Sequence, residues 1–165
     1  MKQCDSHYNL DLFDQYCREI DSWNKTHKLY GDGSSSRELL MQSVRFLEGV
    51  REKVSRETLI DIGAGGAFIS VAWLGLDQSH RVIAVEPKKK SHSWLRYFFP
   101  SFVKKNRFKI INARIQDVAR ETVDSFSQEY LCVARAFSGP LELKEAYDDS
   151  IFAESPLFPF EVKKT

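Results

Sequence analysis

The spacing of apolar residues predicts two helices at the start of the chain. Between residues 8 and 23, apolar side chains recur every three or four positions, which is the period of one helix face. Residues 24–36 contain two glycines and three serines and are predicted to form a loop. Ser35 followed by Glu38 has the form of a capping box, and the apolar positions after it predict a second amphipathic helix. We interpret residues 1–57 as an N-terminal helical cap.

After residue 57 the pattern changes to short apolar strands that alternate with helices. Strands are predicted at residues 59–62, 81–85, 108–111 and 130–134, with helices at 67–76, 91–99 and 141–147. Pro100 is expected to end or kink the second of these helices. Such alternation is typical of a parallel sheet covered on both faces, so residues 58–165 are predicted to form an α/β domain. Two prolines argue against a helix in residues 150–165, where residues 160–162 are a candidate edge strand.

A glycine cluster joins the first predicted strand to the helix that follows it. The segment from Asp61 to Gly66 reads D-I-G-A-G-G, and its glycines allow a sharp turn and close approach of a ligand. A dinucleotide-binding loop would have its third glycine where this chain has Phe68. The acid two residues before the first glycine suits a cationic cofactor, and Glu86 after the second strand can accept hydrogen bonds from ribose hydroxyls. We favour S-adenosylmethionine (SAM) over NAD, with a purely structural turn as the remaining alternative.

Five sequence blocks follow one another in a specific order between residues 8 and 143. They are W-N-K-T-H-K-L at 23–29, L-I-D-I-G-A-G-G-A-F-I-S-V at 59–71, the strand and lysine-bearing helix at 82–95, I-I-N-A-R-I-Q-D at 110–117 and V-A-R-A-F at 133–137. Together they resemble the bacterial small-subunit rRNA guanine-N7 methyltransferases, also called the glucose-inhibited division protein B family. The resemblance implies a Rossmann-like class I SAM-dependent methyltransferase fold. It also implies transfer of a methyl group from SAM to N7 of a guanine in 16S rRNA.

The resemblance implies a set of cofactor-binding residues. Six positions of this chain match cofactor-binding positions of the family: Gly63, Phe68, Glu86, Ile115, Gln116 and Arg135. With the loop residues Asp61 and Gly65, they form the predicted cofactor site. Guanine N7 has a lone pair and no proton, so the reaction requires alignment of N7, the methyl carbon and the sulfur rather than a general base. We therefore nominate no residue as a catalytic acid or base. No metal site is predicted, and the four histidines are interpreted as solvated surface residues.

The chain departs from the family pattern in the loop and near its end. Ala67 replaces the third glycine of the family loop, and Ile69 and Ser70 replace a proline-glycine pair. The adenine-side pair Ala-Glu of the family is Ile115 and Gln116 here. The family continues with more strands than the remaining residues accommodate, so we expect a sheet shortened at its C-terminal end. The alternative function is therefore that of a divergent family member that binds rRNA without catalysis.

Positive charge is concentrated in the middle of the chain, although the total is only +1. The net charge is −1 over residues 1–57, +7 over residues 58–120 and −5 over residues 121–165. Ten Lys and Arg residues lie between positions 88 and 120, against one acid. Binding of RNA phosphates requires a high density of positive charge. We therefore predict that RNA is bound by Lys88, Lys89, Lys90, Arg96, Lys104, Lys105 and Arg114. Helical spacing favours core positions for the rings among them, Trp94, Tyr97, Phe98 and Phe99, over the alternative that one of these rings stacks on an RNA base.

Composition limits the class of protein. A chain of 165 residues that is 42% hydrophobic and 13% aromatic can form one ordinary core. Its apolar stretches, such as residues 68–76, are far shorter than the roughly 20 residues that span a bilayer. Three widely spaced cysteines and a polar N-terminus predict free thiols in a reducing cytoplasm. We expect a cytoplasmic monomer whose partner is small-subunit rRNA or the 30S subunit, with no membrane contact.

Overall fold

The computed structural model describes residues 8–51 and 56–134. In chain order this part contains α1 (Leu10–His27), α2 (Ser36–Arg51), β1 (Thr58–Ile62), α3 (Phe68–Leu76), β2 (Arg81–Val85), α4 (Lys89–Phe98), α5 (Pro100–Lys104), β3 (Phe108–Ile111), a 3₁₀ turn (Ile115–Asp117), α6 (Arg120–Asp124) and β4 (Tyr130–Ala134). The helix predicted at 141–147 and the candidate edge strand at 160–162 lie outside the described residues.

The four strands form one parallel sheet in the order β3-β2-β1-β4. Thr58 of β1 pairs with Arg81 of β2 and with Tyr130 of β4, while Val82 of β2 pairs with Phe108 of β3. β1 is buried along its whole length, as expected for a central strand covered on both faces. This strand order confirms the predicted α/β, Rossmann-like sheet. Its switch point lies between β1 and β4, and such sheets bind ligands outside the carboxyl ends of the strands there.

Most element boundaries follow the sequence pattern. β2, β3 and β4 have the predicted bounds, and β1 begins one residue earlier than predicted. α1 continues to His27 because it ends only where Lys28 adopts a left-handed conformation with φ of 48°. Pro100 separates α4 from α5 and occupies the first turn of α5, where its missing N–H costs nothing. At α2 the N–H of Glu38 donates to Ser35 Oγ at 3.1 Å, which confirms the predicted cap.

The two cap helices share one hydrophobic core with the sheet. Phe13 and Ile20 of α1 and Leu40 of α2 are fully buried, and one continuous cluster joins them to α3, β1 and β2. Gly75 of α3 leaves room for the Phe13 ring, since a Cβ there would lie 2.2 Å from Phe13 Cε1. The boundary between cap and domain at residue 57 remains a prediction. The shared core implies that the cap helices contribute to the stability of the sheet.

His80 is buried, so the predicted surface position is wrong for this residue. Its ring stacks on Trp73 with centroids 3.9 Å apart, and its Nδ1 lies 2.7 Å from the Trp73 carbonyl oxygen. His27 is exposed and His92 is half-buried, while His7 lies outside the described residues. Burial lowers the pKa of His80 from its ordinary value, because the charged imidazolium is poorly solvated there.

The lowered pKa of His80 predicts a loss of stability as the pH falls from about 7 to about 5. The unfolded chain takes up the proton more readily than the folded one, so acid favours unfolding below the ordinary value of 6.5. The hydrogen bond to the Trp73 carbonyl opposes burial and raises the pKa of His80; Arg51 and Arg107 lower it, and Asp77 raises it. Ser79 lowers the pKa of Asp77 itself from 3.8, so the contribution of Asp77 is lost only in stronger acid.

Urea unfolding at about pH 5 and about pH 7.5 measures this effect in the wild type and in His80→Phe. The variant keeps a ring on Trp73 but cannot titrate. We expect a smaller difference between the two free energies of unfolding in His80→Phe than in the wild type. An equal pH dependence in both proteins would contradict the assignment.

Candidate functional site

The glycine loop lies at the carboxyl edge of the sheet, between β1 and α3. Gly63 and Gly65 have φ of +69° and +54°, a conformation that L side chains rarely adopt. The N–H of Gly63 donates to the carbonyl of Val85 at 2.8 Å, which fixes the start of the loop against the end of β2. A Cβ on Gly63 would meet no atom within 4 Å. The glycine thus leaves bare backbone facing open space, as a cofactor cradle requires.

Ala67, at the position of the family's third glycine, keeps a left-handed conformation. Its φ is +69°, and its N–H donates to the carbonyl of Ala64 at 2.7 Å, which closes the turn before α3. This conformation explains why a glycine suits the position, and an alanine adopts it at a cost of about 1 kcal/mol. Ala67 is fully buried in the core, so its methyl group does not project from the open side of the loop.

Glu86 lies directly after β2, and its carboxylate connects the loops that follow β1 and β2. Oε2 accepts a hydrogen bond from the N–H of Gly65 at 2.7 Å, and Oε1 accepts one from the N–H of Lys88 at 2.7 Å. The Asn112 side-chain amide donates to the Glu86 carbonyl at 2.8 Å. Each carboxylate oxygen has a second lone pair, so the group can also accept two ribose hydroxyls. Glu86 is only 3% exposed, so most of its carboxylate lies beneath the two loops that it connects.

Asp61 lies beneath the loop rather than on its open side. It is buried, and its Oδ2 accepts hydrogen bonds from the N–H of Ser70 at 3.2 Å and from the Ser70 hydroxyl at 2.6 Å. Ser70 belongs to the first turn of α3, where a negative charge is favourable. Asp61 therefore stabilises the junction of loop and helix, and its contact with a cofactor remains a prediction.

The predicted adenine-side residues lie in the 3₁₀ turn after β3, at the same edge of the sheet as the loop. Ile115 is buried in one cluster with Ile62 and Val85, the last residues of β1 and β2. Gln116 is the next residue of the turn. Arg135 lies outside the described residues. The glycine loop, the end of β2 and this turn are thus brought together at one edge, as the prediction requires.

Phe68 begins α3 and is 8% exposed, so most of its ring is unavailable to a ligand. The ring packs edge-on against Tyr16 at 5.4 Å and against Tyr30 at 5.6 Å between centroids. The Phe68 ring thus lies under the loop and packs the start of α3 against the cap. A role for Phe68 in cofactor binding remains a prediction.

Two residues that sequence reasoning did not single out for the site hold the loop in place. The Tyr16 hydroxyl donates to the Gly66 carbonyl at 2.7 Å, and the Trp94 indole N–H donates to the same oxygen at 2.9 Å. Tyr16 occupies the apolar face of α1 and Trp94 that of α4, so helical periodicity marks both only as core residues. The one sequence feature that could have indicated these contacts is the residue type, because buried Tyr and Trp usually have hydrogen-bond partners.

All seven residues predicted to bind RNA are exposed. Lys88, Lys89 and Lys90 lie at the N-terminus of α4, directly after Glu86 and at the same edge as the glycine loop. The partial positive charge at a helix N-terminus repels these lysines, and a bound anion would reduce that repulsion. Lys90 Nζ also donates to the carbonyl of Lys28 at the end of α1, at 2.9 Å. These three lysines and Arg96, Lys104, Lys105 and Arg114 are together called the basic surface below. Lys104 and Lys105 precede β3 and so lie toward the amino edge of the sheet, opposite the glycine loop.

Two further cations of the central region bind the protein's own carbonyl groups. The Arg107 guanidinium donates to the carbonyls of Leu74, Asp77 and His80, which follow one another around the end of α3. Lys109 Nζ donates to a carbonyl of α6 at 2.8 Å. The positive charge available to an external anion is therefore smaller than the count of ten suggests.

The aromatic residues of α4 divide between core and surface. Trp94 and Phe99 are fully buried and Phe98 is half-buried, in line with the predicted core positions. Tyr97 is 51% exposed, so the prediction is wrong for this residue. Its hydroxyl donates to Glu19 of α1 at 2.8 Å, and this hydrogen bond holds the ring across the two helices instead of in the core.

The described residues contain two cysteines, Cys17 and Cys132, and both are free thiols. Burial raises the pKa of Cys132 to about 12, so this thiol is unreactive. Within residues 8–51 and 56–134, no group of His, Cys, Asp and Glu side chains could hold a metal ion. The same ranges contain no helix of the length and apolar character needed to cross a membrane.

Two solved structures share parts of this architecture. One is a candidate SAM-dependent methyltransferase from Methanococcus maripaludis, with a TM-score of 0.45 and 16% identity, covering 84% of this chain and 55% of that one. The other is a candidate protein-L-isoaspartate O-methyltransferase from Plasmodium falciparum, solved with S-adenosyl-L-homocysteine. It has a TM-score of 0.44 and 17% identity, covering 84% of this chain and 79% of that one. The fold assignment rests on the strand order.

Sequence comparison identifies the family. Ribosomal RNA small subunit methyltransferase G of Prochlorococcus marinus subsp. pastoris is 27% identical over 123 residues, which cover 74% of this chain and 51% of that protein. The chain thus spans about half the length of this curated relative. Residues 9–151 match the model of the GidB family, described as rRNA small subunit methyltransferase G. Because this match covers most of the chain, the chain belongs to the GidB family.

Proposed function

We propose that the protein is a SAM-dependent methyltransferase that transfers a methyl group to N7 of a guanine in 16S rRNA. The observation that carries the proposal is the glycine loop hydrogen-bonded to the Glu86 carboxylate at the carboxyl edge of the sheet, in a chain of this family. Parallel α/β sheets bind their cofactors at this edge. The proposed site includes all eight predicted residues, with Asp61 and Phe68 acting from beneath the loop.

The residues at this edge fit the parts of an adenosine cofactor. Gly63 leaves bare backbone on the open side of the loop, and the Glu86 oxygens can accept the two ribose hydroxyls. Ile115 and Gln116 would lie beside the adenine through the backbone of their turn, because the Ile115 side chain is buried, and Arg135 completes the proposed site. When bound, SAM supplies an electrophilic methyl group on a positively charged sulfur.

Methyl transfer to guanine N7 requires alignment of the reacting atoms and does not require proton transfer. Guanine N7 attacks through its lone pair, and no proton has to leave that nitrogen. Holding N7, the methyl carbon and the sulfur in line can lower the barrier by several kcal/mol. The protein's part is therefore to fix the cofactor through the loop and Glu86 and to fix the RNA through its phosphates.

The basic surface is the proposed site of rRNA binding. Lys88 follows Glu86 by two residues, so a phosphate on this lysine would lie next to the cofactor edge. Exposed lysines and arginines supply the sequence-independent part of RNA affinity. We propose naked rRNA or the 30S subunit as the substrate, with the protein acting as a monomer in the cytoplasm.

One observation favours a second candidate, rRNA binding without methyl transfer. Both oxygens of Glu86 already accept backbone N–H groups, and the residue is 3% exposed. If this closed arrangement persists, the basic surface would still bind rRNA while the cofactor edge stays blocked. Retained RNA affinity without SAM affinity would select this candidate.

Methyl transfer is tested with SAM labelled in its methyl group and two substrates, naked 16S rRNA and the 30S subunit. Mass spectrometry of the digested rRNA then locates the label. We expect 7-methylguanosine at one site with at least one of the two substrates. Absence of label from both substrates, or label on another atom of the base, would overturn the proposed activity.

Removing two charges from the basic surface is expected to weaken rRNA binding and to reduce its salt dependence. In the double variant Lys88→Ala/Lys89→Ala, the slope of log K against log salt should become shallower by about 1.5, because two phosphate contacts are lost. The hydrogen bond from the Lys88 backbone N–H to Glu86 is retained. Fluorescence anisotropy with an rRNA fragment between about 50 and 200 mM salt measures the slope.

The control for this experiment is Arg45→Ala, which removes an exposed charge from α2. It should leave the salt dependence unchanged. Equal slopes for Lys88→Ala/Lys89→Ala and the wild type would exclude these lysines from the interface.

A further inference from the structure

The carbonyl oxygen of Gly66 accepts two hydrogen bonds from buried side chains on different helices. Tyr16 of α1 donates its hydroxyl at 2.7 Å, and Trp94 of α4 donates its indole N–H at 2.9 Å. Both side chains are fully buried. A carbonyl oxygen has two lone pairs, so these two donors saturate it. Burial raises the pKa of Tyr16 well above its ordinary value, so the hydroxyl stays protonated and remains a donor.

Gly66 also packs closely against α1, the cap helix that carries Tyr16. A Cβ at Gly66 would lie 3.0 Å from Ile20 Cδ1 and 3.0 Å from Phe68 Cε2, which is tighter than nearly all real contacts. Ile20 and Tyr16 lie one turn apart on α1. One face of α1 therefore supplies both the steric contact and the hydrogen bond that locate this peptide.

The loop is thus held from two sides. On the sheet side, the N–H groups of Gly63 and Gly65 donate to Val85 and Glu86. On the helix side, the Gly66 carbonyl accepts from Tyr16 of the cap helix α1 and from Trp94 of α4. Loss of these two bonds would leave the positive-φ segment at residues 63–65 hydrogen-bonded to the sheet side alone.

We infer that Tyr16 and Trp94 are positioning residues for the cofactor, because they fix the Gly66 carbonyl and thereby the binding conformation of residues 63–65. The inference rests on the proposed function. Neither side chain contacts the proposed cofactor, since both are fully buried beneath the loop. The cap helix α1 is therefore part of the cofactor site and not only a cover for the sheet.

The test uses the full chain with Tyr16→Phe and Trp94→Phe, each of which removes one hydrogen bond to Gly66. Trp73→Phe is a matched control, because the Trp73 indole N–H donates at 2.9 Å to the carbonyl of Glu57, at the opposite edge of the sheet. Three quantities are measured: the free energy of unfolding, the amide hydrogen-exchange rates of residues 63–67 in the free protein, and the Kd for SAM by calorimetry.

We expect Tyr16→Phe and Trp94→Phe each to raise loop exchange rates about tenfold and to weaken SAM binding about tenfold, which corresponds to about 1.4 kcal/mol. Trp73→Phe should lose as much stability as Trp94→Phe while keeping wild-type loop exchange and wild-type SAM affinity. This difference separates a positioning role from a general structural role.

Wild-type loop exchange or wild-type SAM affinity in Tyr16→Phe would overturn the inference, as would equal effects of Trp73→Phe and Trp94→Phe on the loop. Failure of the wild-type chain to bind SAM would instead refute the proposed cofactor. In that case, loop exchange in the free protein still decides whether Tyr16 and Trp94 fix the loop.

Discussion

Glu86→Ala is expected to weaken SAM binding at least about a hundredfold, the loss expected when two charge-assisted hydrogen bonds are removed. The carboxylate provides the proposed acceptors for the ribose and also holds the N–H groups of Gly65 and Lys88. Hydrogen bonds to a charged group contribute about 1.5–3 kcal/mol each, so the free energy of unfolding should fall by about 3 kcal/mol. Calorimetric titration with SAM and urea unfolding measure the two effects.

Two further variants separate the charge from the shape of this side chain. Glu86→Gln keeps the size but replaces one acceptor oxygen by an NH₂ group, so we expect an intermediate loss of about tenfold in affinity. Glu129→Gln is the control, since Glu129 is exposed and its ion pair with Arg56 lies before β4, at the opposite edge of the sheet. Wild-type affinity in Glu86→Ala would exclude Glu86 from the cofactor site.

Gly75→Ala is expected to destabilise the protein by about 3 kcal/mol, the upper part of the usual range for overpacking a core. A Cβ at this position would lie 2.2 Å from Cε1 and 2.6 Å from Cζ of Phe13, a fully buried ring of α1. Either the ring or the whole cap helix must move. Gly49→Ala in α2 is the matched control, because nothing lies within 4 Å of the added Cβ. It should stabilise the protein by about 0.5–1 kcal/mol.

A double-mutant cycle with Phe13→Leu tests the contact directly. The smaller side chain makes room for the new methyl group, so Gly75→Ala should cost less in the Phe13→Leu background than in the wild type. The coupling between the two changes should amount to about 1 kcal/mol or more in urea unfolding. Strictly additive effects would mean that the cap and α3 do not share a core.

The sheet could be predicted from sequence because its strands are short apolar runs bounded by polar loops. β2, β3 and β4 are such runs, and β2 and β3 are each followed by a helix or turn as a parallel sheet requires. The backbone of the loop could be predicted for a similar reason, since Gly63 and Gly65 are needed where φ is positive. The 3₁₀ turn, α5 and α6 were not predicted, because three to five residues are too few to show a helical period.

The directions of polar side chains could not be predicted, because their partners are distant in sequence or of a type that periodicity ignores. Asp61 turns toward Ser70, a residue that the family pattern does not contain. His80 is buried by stacking on Trp73, although it lies in a loop. Arg107 contributes to the positive charge counted over residues 88–120, yet the fold places three carbonyl groups around it. Each case depends on tertiary packing that one sequence does not encode locally.

We propose above all that the carboxyl edge of this sheet binds the methyl donor. Two-dimensional NMR of the isotope-labelled full chain, titrated with SAM, tests it residue by residue. We predict saturable shifts of the amide signals of residues 63–67, of Glu86 and of residues 115–117, with little change at His80 and Glu129 near the opposite edge. An unchanged spectrum at millimolar SAM, or shifts confined to other parts of the chain, would contradict the claim.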